Sequence, residues 1–346
     1  MEERIINVLI VEDSPIERLL LAHILKADRQ LRVELAEDAE QGLQFLETHR
    51  PDIVLMDIHL PGMDGFEATR RIMATEPLPI VICSAATNAA DMAITFQALE
   101  AGALSFVEKP VGPGHPRFNG MVKNLIDTLK LMSEVRVVKR HVRPAGPISP
   151  VPVRHAPGNL KLVVVGASTG GPPVLHTILA GLPKPFPLPV LVVQHIAAGF
   201  LAGLRDWLAH VTGMTVQIAA NGQECKPGVV YLAPDDLHMG VGAAGHIELS
   251  NAAPENGLRP AVSYLFRSAA QVCGANTVGI LLTGMGKDGA EELKLLRERG
   301  AVTIAQDAET SVVHGMPGEA IRRGAAQHVL PPEQIAGTLA NLVNPK

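Results

Sequence analysis

The sequence predicts an α/β protein of two units: an N-terminal (βα)5 unit and a C-terminal unit built on a doubly wound, mostly parallel sheet. Three observations carry this. Short apolar runs of strand length alternate with helix-period segments along most of the chain. A proline-rich stretch interrupts that alternation once, near the middle. The 346 residues also suit two domains at roughly 100–200 residues each, both large enough to bury a core.

In chain order, Val8–Val11 reads as a buried strand, and Ile16, Leu19, Leu20 and Ile24 then recur at helical spacing. Apolar runs follow at Ile53–Met56, Ile80–Cys83 and Leu104–Val107, with helical patterns such as Phe66–Met73 and Met121–Met132 between them. About five βα units with a sheet covered on both faces result, over residues 1–134. From Arg143 to Gly158 the chain carries five prolines and two glycines. Residues 135–159 are therefore read as an interdomain linker, semi-extended from Val138 to Asn159. Ahead of it, Val122, Leu125, Ile126, Leu129 and Met132 give the last helix an apolar face. Residues 160–346 return to α/β. Leu160–Val165, Val190–Val193, Val278–Leu282 and Ala301–Ala305 read as buried parallel strands. Pro173–Leu179, Leu201–His210, Ala261–Val272 and Gly289–Arg299 read as the helices between them.

Composition narrows the class. With 47% apolar, 19% charged and 3% aromatic residues, the chain is too apolar for a disordered protein or a coiled coil. The opening MEERIINVLIVEDS has no basic n-region, and no apolar run approaches the ~18–20 residues that span a bilayer. Cys83, Cys225 and Cys273 never form a CxxC pair, which fits a reducing compartment without structural zinc. A cytoplasmic protein is the expectation. Residues 1–134 carry 21 acids against 12 bases, and residues 135–346 carry 14 against 18. This asymmetry is compatible with mutual attraction of the two halves, and equally with two ordinary surfaces. No helix-turn-helix pattern or basic recognition helix is visible, so a DNA-binding output is not expected.

Open α/β sheets place their chemistry at the carboxyl ends of strands. Glu12 and Asp13 end the first strand, Asp57 ends Ile53–Met56, Ser84 ends Ile80–Cys83, and Lys109 follows Leu104–Val107. Clustered carboxylates need a counter-charge, and their hard oxygens suit Mg²⁺. A carboxylate beside that ion and a lysine can attack a phosphoryl donor.

The second unit carries Gly166-Ala-Ser168-Thr-Gly170-Gly171 between a strand and a helix. Its small residues allow a sharp turn exposing Ser168. A dinucleotide fingerprint fails, because Ser168 replaces the second glycine and no acid follows ~20 residues on. A nucleophilic serine needs a base and an orienting acid. Among 13 histidines, His195 ends the neighbouring strand, while His238 and His314 are weaker candidates placed in polar loops. Asp288 follows the strand Val278–Leu282 in a glycine-rich turn, with Asp235 and Asp236 as competitors. Met285, in the same turn, is placed to offer its backbone N–H to an oxyanion. The order Ser, His, Asp differs from that of ordinary α/β-hydrolases.

Residues 5–134 resemble a response-regulator receiver domain. The resemblance implies Asp57, in LMDIHLPGMDG, as phospho-acceptor. Glu12 and Asp13 become the metal acids, with Asp13 and Asp57 as direct Mg²⁺ ligands. Ser84 and Lys109 become the phosphoryl-sensing pair, with Phe106 as the aromatic that moves with them. Glu12 stands where the shorter Asp is more usual, and Gly112–Gly120 is an unusual insert. Residues 160–340 resemble the catalytic domain of the chemosensory protein-glutamate methylesterase family, CheB, in GASTGG, VVQHI, YLAP, RPAVSYLF, ILLTGMGKDGA and AQDAETSVVHGMPGEA. That resemblance implies Ser168 as nucleophile, His195 as general acid/base, Asp288 as its orienting acid, the Met285 amide in the oxyanion hole and Thr169 in support. Ala197-Ala198 replace a usual proline, and Asp235 a usual glycine.

Together the two resemblances imply a serine hydrolase activated by phosphorylation. It would demethylate glutamate γ-methyl esters, and deamidate glutamines, on methyl-accepting chemoreceptors. The phosphodonor would be a chemosensory histidine kinase, and the unphosphorylated receiver would cover the catalytic face. No cofactor is expected for the esterase, no nucleic acid as partner, and membrane contact only through receptors. The alternative is a response regulator whose second domain is a non-catalytic binding module.

Overall fold

The computed structural model describes residues 4–85, 89–135, 137, 160–242 and 245–343. The chain divides into two compact units, Met1–Val142 and Arg143–Lys346. The expected linker lies outside the described residues except at 135 and 137.

In the first unit β1 (Ile6–Val11), β2 (Leu31–Ala36), β3 (Ile53–Asp57), β4 (Ile80–Ser84) and β5 (Ser105–Glu108) alternate with α1 (Pro15–Lys26), α2 (Ala39–Leu46), α3 (Gly65–Thr75), α4 (Ala89–Ala101) and α5 (Phe118–Met132). All strands are parallel, in the order β2-β1-β3-β4-β5. Every residue of β3 and β4 is buried, as a strand covered by helices on both faces requires. Ser14, Asp38 and Asp64 cap α1, α2 and α3, each side chain accepting the amide three residues on; those caps fix where the helices start. Helix α5 begins at Phe118, three residues before the expected start, and Arg117 ahead of it pairs with Glu108 at 3.2 Å.

The second unit contains β6 (Leu162–Ala167), α6 (Gly171–Ala180), β7 (Val190–Gln194), α7 (Leu201–Thr212), β8 (Thr215–Ile218) and β9 (Val229–Leu232). A hairpin, β10 (His238–Val241) and β11 (Ile247–Ser250), leads to α8 (Val262–Val272) and β12 (Thr277–Leu281). The chain closes with α9 (Ala290–Glu298), β13 (Val302–Gln306), α10 (Met316–Arg322), β14 (His328–Leu330) and α11 (Pro332–Val343). The seven-stranded sheet runs β14-β13-β12-β6-β7-β9-β8, all parallel.

Strand β6 connects outward to β7, and its other neighbour β12 connects the opposite way to β13. The reversal between β6 and β12 is a topological switch point, and it leaves a crevice beyond their carboxyl ends. The two glycine-rich turns, Gly166–Gly171 and Thr283–Gly289, both lie there. One core cluster supports them: Leu162, Val164, Leu191 and Val193 from the sheet, Val262, Leu265 and Phe266 from α8, Leu293 and Leu296 from α9, and Met239 and Ile247 from the hairpin.

One expectation is corrected. His238 is not in a polar loop: it is the first residue of β10 and fully buried.

Candidate active site and acidic pocket

Ser168 is the first residue after β6. Its amide donates to Thr283 O at 3.0 Å, and its carbonyl accepts Gly171 N–H at 2.8 Å, closing the turn into α6. Gly170 sits at φ 75°, in the left-handed region open to glycine. A side chain there would also meet Val312 at 2.6 Å. Pro172 and Pro173 fall in the first turn of α6, where their missing N–H groups remove no helical bond.

His195 is the first residue after β7. Its amide donates to Ala167 O at 2.9 Å, which sets it beside Ser168 on the neighbouring strand. Gln194, 5% exposed, donates Nε2–H to the carbonyls of both Ser168 and His195 at 2.8 Å each.

Asp288 arrives from the β12 side and is 2% exposed, with Oδ2 3.0 Å from His195 Nε2. Val262 N–H donates to Oδ2 at 2.6 Å and Ser263 N–H to Oδ1 at 3.0 Å. These are the first two amides of α8, so the carboxylate sits on the positive end of a helix and satisfies donors that the helix leaves over. Burial alone would push the Asp288 carboxyl up, but His195 and Ser263 hold it below its ordinary range. Nε2 is thus the ring nitrogen of His195 that faces the carboxylate.

The Thr283–Gly289 turn is pressed against Ser168: a Cβ on Gly284 would lie 2.6 Å from Ser168 Cβ and 2.5 Å from Met316 Sδ. Gly284 N–H donates to Val313 O at 2.9 Å, and Gly284 O accepts Met316 N–H at 2.9 Å. Buried Thr283 ties the parts together. Its hydroxyl donates to Thr169 O (3.0 Å) and accepts Val313 N–H (3.0 Å), and its amide donates to Gln306 Oε1 at 2.8 Å. The Met285 amide follows directly on this pinned backbone, while the Met285 side chain is 57% exposed.

The competing residues are engaged elsewhere. Asp235 accepts Gly199 N–H at 3.1 Å, and Asp236 pairs with Arg259 at 2.7 Å. His238 accepts Ala261 N–H on Nδ1 at 3.2 Å, which makes Nε2 the donor to Ala253 O at 3.1 Å, and its ring stacks on Tyr264. His314 pairs through its backbone with Gly284 and lies against Gly318. Sequence reasoning missed Gln194, Thr283, Gln306 and the two α8 amides. Gln194 and Thr283 adjoin the candidates in sequence, but no spacing rule marks an amide or hydroxyl that binds backbone.

In the first unit Glu12, Asp13 and Asp57 bring carboxylate oxygens within 4.8 Å of one another. Lys109 Nζ lies 2.8 Å from Glu12, 2.6 Å from Glu17 and 3.1 Å from Asp57. Glu17 is a further contact that sequence reasoning missed. Burial pushes the Glu12 carboxyl up to about 7, helped by the charges of Asp57 and Glu17 and opposed by Lys109. Burial alone would lower the Lys109 ammonium, but the carboxylates hold it above its ordinary value. Asp57 Oδ1 accepts Ile58 N–H at 2.7 Å. Ser84 ends β4 beside this pocket, fully buried, and half-buried Phe106 meets Phe96 edge-on at 5.8 Å. Three hard carboxylates converging beside an ammonium fit a divalent cation such as Mg²⁺.

Comparison with known proteins agrees with this two-part organisation. A family model described as CheB methylesterase matches residues 163–339, and one described as response regulator receiver domain matches residues 8–116. The chain is 51% identical over 346 residues to a protein-glutamate methylesterase/protein-glutamine glutaminase of Nitrosospira multiformis, covering 98% of this chain and 97% of that one. A protein of the same name from Geobacter metallireducens is 51% identical, covering 99% of this chain and 100% of the relative. The crystal structure of the Thermotoga maritima CheB methylesterase catalytic domain is 43% identical with a TM-score of 0.52, covering 53% of this chain and 99% of that chain.

Proposed function

The chain belongs to the CheB methylesterase family, with a response regulator receiver domain ahead of the methylesterase domain, and from that premise we propose how its residues act. The protein is a protein-glutamate methylesterase and protein-glutamine glutaminase working on the cytoplasmic helices of methyl-accepting chemoreceptors. A chemosensory histidine kinase raises its activity by phosphorylating Asp57. The observation that carries the catalytic part is the pair of half-buried His195 and buried Asp288, 3.0 Å apart, beside Ser168 at the switch point of the sheet.

Ser168 Oγ attacks the γ-carbonyl carbon of a methylated glutamate while His195 Nδ1 takes the hydroxyl proton. Asp288 stabilises the imidazolium through Nε2. The negative charge on the carbonyl oxygen is held by the Met285 N–H. Collapse breaks the C–O bond to the methoxy group, which leaves as methanol with the proton from His195. A water then gives its proton to His195 and attacks the acyl-enzyme, and collapse returns the proton to Ser168 and frees the glutamate carboxylate. With glutamine the leaving group is ammonia, through the same tetrahedral intermediate. Thr169 supports the turn through its carbonyl, which Thr283 holds.

In the receiver, Asp57 is the nucleophile toward a phosphoryl donor, and Lys109 faces the oxygen that will carry the added charge. Asp13 and Asp57 would hold Mg²⁺, with Glu12 behind them. The ion supplies charge neutralisation for the transferring phosphoryl group. Ser84, Lys109 and Phe106 are the residues expected to respond to the phosphorylated state.

The test is methanol release from methylated receptor membranes, with and without acetyl phosphate and Mg²⁺. Release is expected, raised by the phosphodonor, abolished in Ser168→Ala, and insensitive to the phosphodonor in Asp57→Asn. Methanol release that persists in Ser168→Ala would overturn the nucleophile. No release by the wild type from any receptor would favour a binding module.

A further inference from the structure

The carboxamide of Gln194 makes an arrangement that neither strand geometry nor helix packing requires. Its two N–H groups are divided between the carbonyl of Ser168 and the carbonyl of His195, each at 2.8 Å. Ser168 O is thereby doubly held, because Gly171 N–H also donates to it at 2.8 Å. The other end of the same amide is left over: Gln194 Oε1 is buried and has no hydrogen-bond partner among the described residues. It lies against Gly171, where a Cβ would come within 2.1 Å of it.

A buried unpartnered carbonyl is a net cost to the fold, so a methionine or leucine of similar volume would be expected here on stability grounds alone. The amide's own gain lies with the two carbonyls, and these belong to the nucleophile and the base. Fixing both carbonyls fixes the two peptide planes from which Oγ and the imidazole project. An error of about 1 Å between such groups is enough to lower a rate ~10²-fold.

We propose that Gln194 is a positioning residue that locks the backbone of Ser168 to the backbone of His195, holding the nucleophile and the base in register. This rests on the catalytic reading of Ser168 and His195 given above. Gln194 touches neither substrate nor the reacting atoms. Its effect is therefore on kcat, with KM and the pH dependence of the rate unchanged in shape. Gly171 is the companion feature, since only a residue without a side chain leaves room for Oε1 while the two N–H groups reach their carbonyls.

The experiment is steady-state methanol release by the full chain, comparing wild type, Gln194→Met, Gln194→Leu and Ser168→Ala, with thermal midpoints measured alongside. Methionine keeps the volume and removes both donors and the unpartnered oxygen. Leucine removes the same groups without adding a charge. Both variants are expected to lose about 10²-fold in kcat, with KM within twofold, an unshifted pH profile and a thermal midpoint close to wild type. A kcat within threefold of wild type in a folded Gln194→Met protein would overturn the inference. So would a loss that appears only in variants that have lost thermal stability. If Ser168→Ala retains activity, the catalytic reading fails instead, and the two failures are told apart.

Discussion

Asp288 faces His195 Nε2 at 3.0 Å while its two oxygens also receive the amides of Val262 and Ser263 at the start of α8. The carboxylate is thus held by two rigid peptide donors on one side and faces an imidazole nitrogen on the other. Those contacts hold the Asp288 carboxyl below its ordinary range despite its burial.

Replacing Asp288 by Asn turns this against the enzyme. The Asn oxygen would stay with the α8 amides, which need an acceptor, and its NH₂ would then face His195 Nε2. Nε2 becomes the acceptor and Nδ1 carries the proton, so the nitrogen facing Ser168 can no longer accept one. A fall in kcat of up to ~10⁴ is expected, with the fold kept. Asp235→Asn and Asp236→Asn should leave kcat within twofold, because their partners are Gly199 and Arg259. Methanol release by the three variants checks this.

Gly284→Ala tests the second glycine-rich turn. The added methyl would lie 2.6 Å from Ser168 Cβ and 3.2 Å from Ser168 N, with Met316 Sδ at 2.5 Å on its other side. The sulfur can move, but the Ser168 backbone is pinned by its bonds to Thr283 and Gly171 and cannot. A destabilisation of about 1–3 kcal/mol is expected, together with at least a tenfold loss of kcat. Urea unfolding and methanol release, measured on the same preparation, check both halves.

Much of this was legible in the sequence because buried parallel strands are continuous apolar runs. Ile53–Met56 and Val190–Val193 announce their own positions, and the residues after them are the site. What escaped is equally physical. In the edge strand β2, LRVELA buries only its two ends, and Arg32 and Glu34 interrupt it, so it is not a continuous apolar run. Strands β8 to β11 and β14 are three or four residues long, below the length at which a period is readable. His238 looked like a loop residue because Asp235 and Asp236 precede it. Its burial depends on Ala253, Ala261 and Tyr264, which only the fold brings to it. The engagement of Asp288 with the start of α8 is likewise a contact between segments 25 and 26 residues apart, with no local signal.

Asp13 is the exposed member of the acidic pocket, so its substitution should leave the receiver folded. Asp13→Asn is expected to weaken Mg²⁺ binding by at least tenfold, read by calorimetric titration of the full chain. Removing Mg²⁺ with a chelator should abolish labelling of Asp57 by acetyl phosphate in the wild type, while basal methanol release continues. Unchanged Mg²⁺ affinity in Asp13→Asn would move the ion away from these carboxylates.

Glu12 gives the receiver a pH dependence of definite sign. Its carboxyl is raised from 4.5 to about 7, chiefly by burial, so between those values the folded state binds a proton that the unfolded state has lost. Stability therefore falls as pH rises through that window, by a few kcal/mol at most, and is flat with respect to this group above it. Two other receiver acids do not mask the effect: Asp28 and Asp52 are held below their ordinary 3.8, so their contribution is largely complete at the lower end. Gln at position 12 cannot ionise and removes the slope. Native-state hydrogen exchange of the β1 and β3 amides, compared between wild type and Glu12→Gln at each pH so that intrinsic rates cancel, should show the variant gaining protection relative to wild type from pH 4.5 to about 7. A constant ratio across that range would mean that Glu12 stays ionised in the fold, with Lys109 outweighing burial.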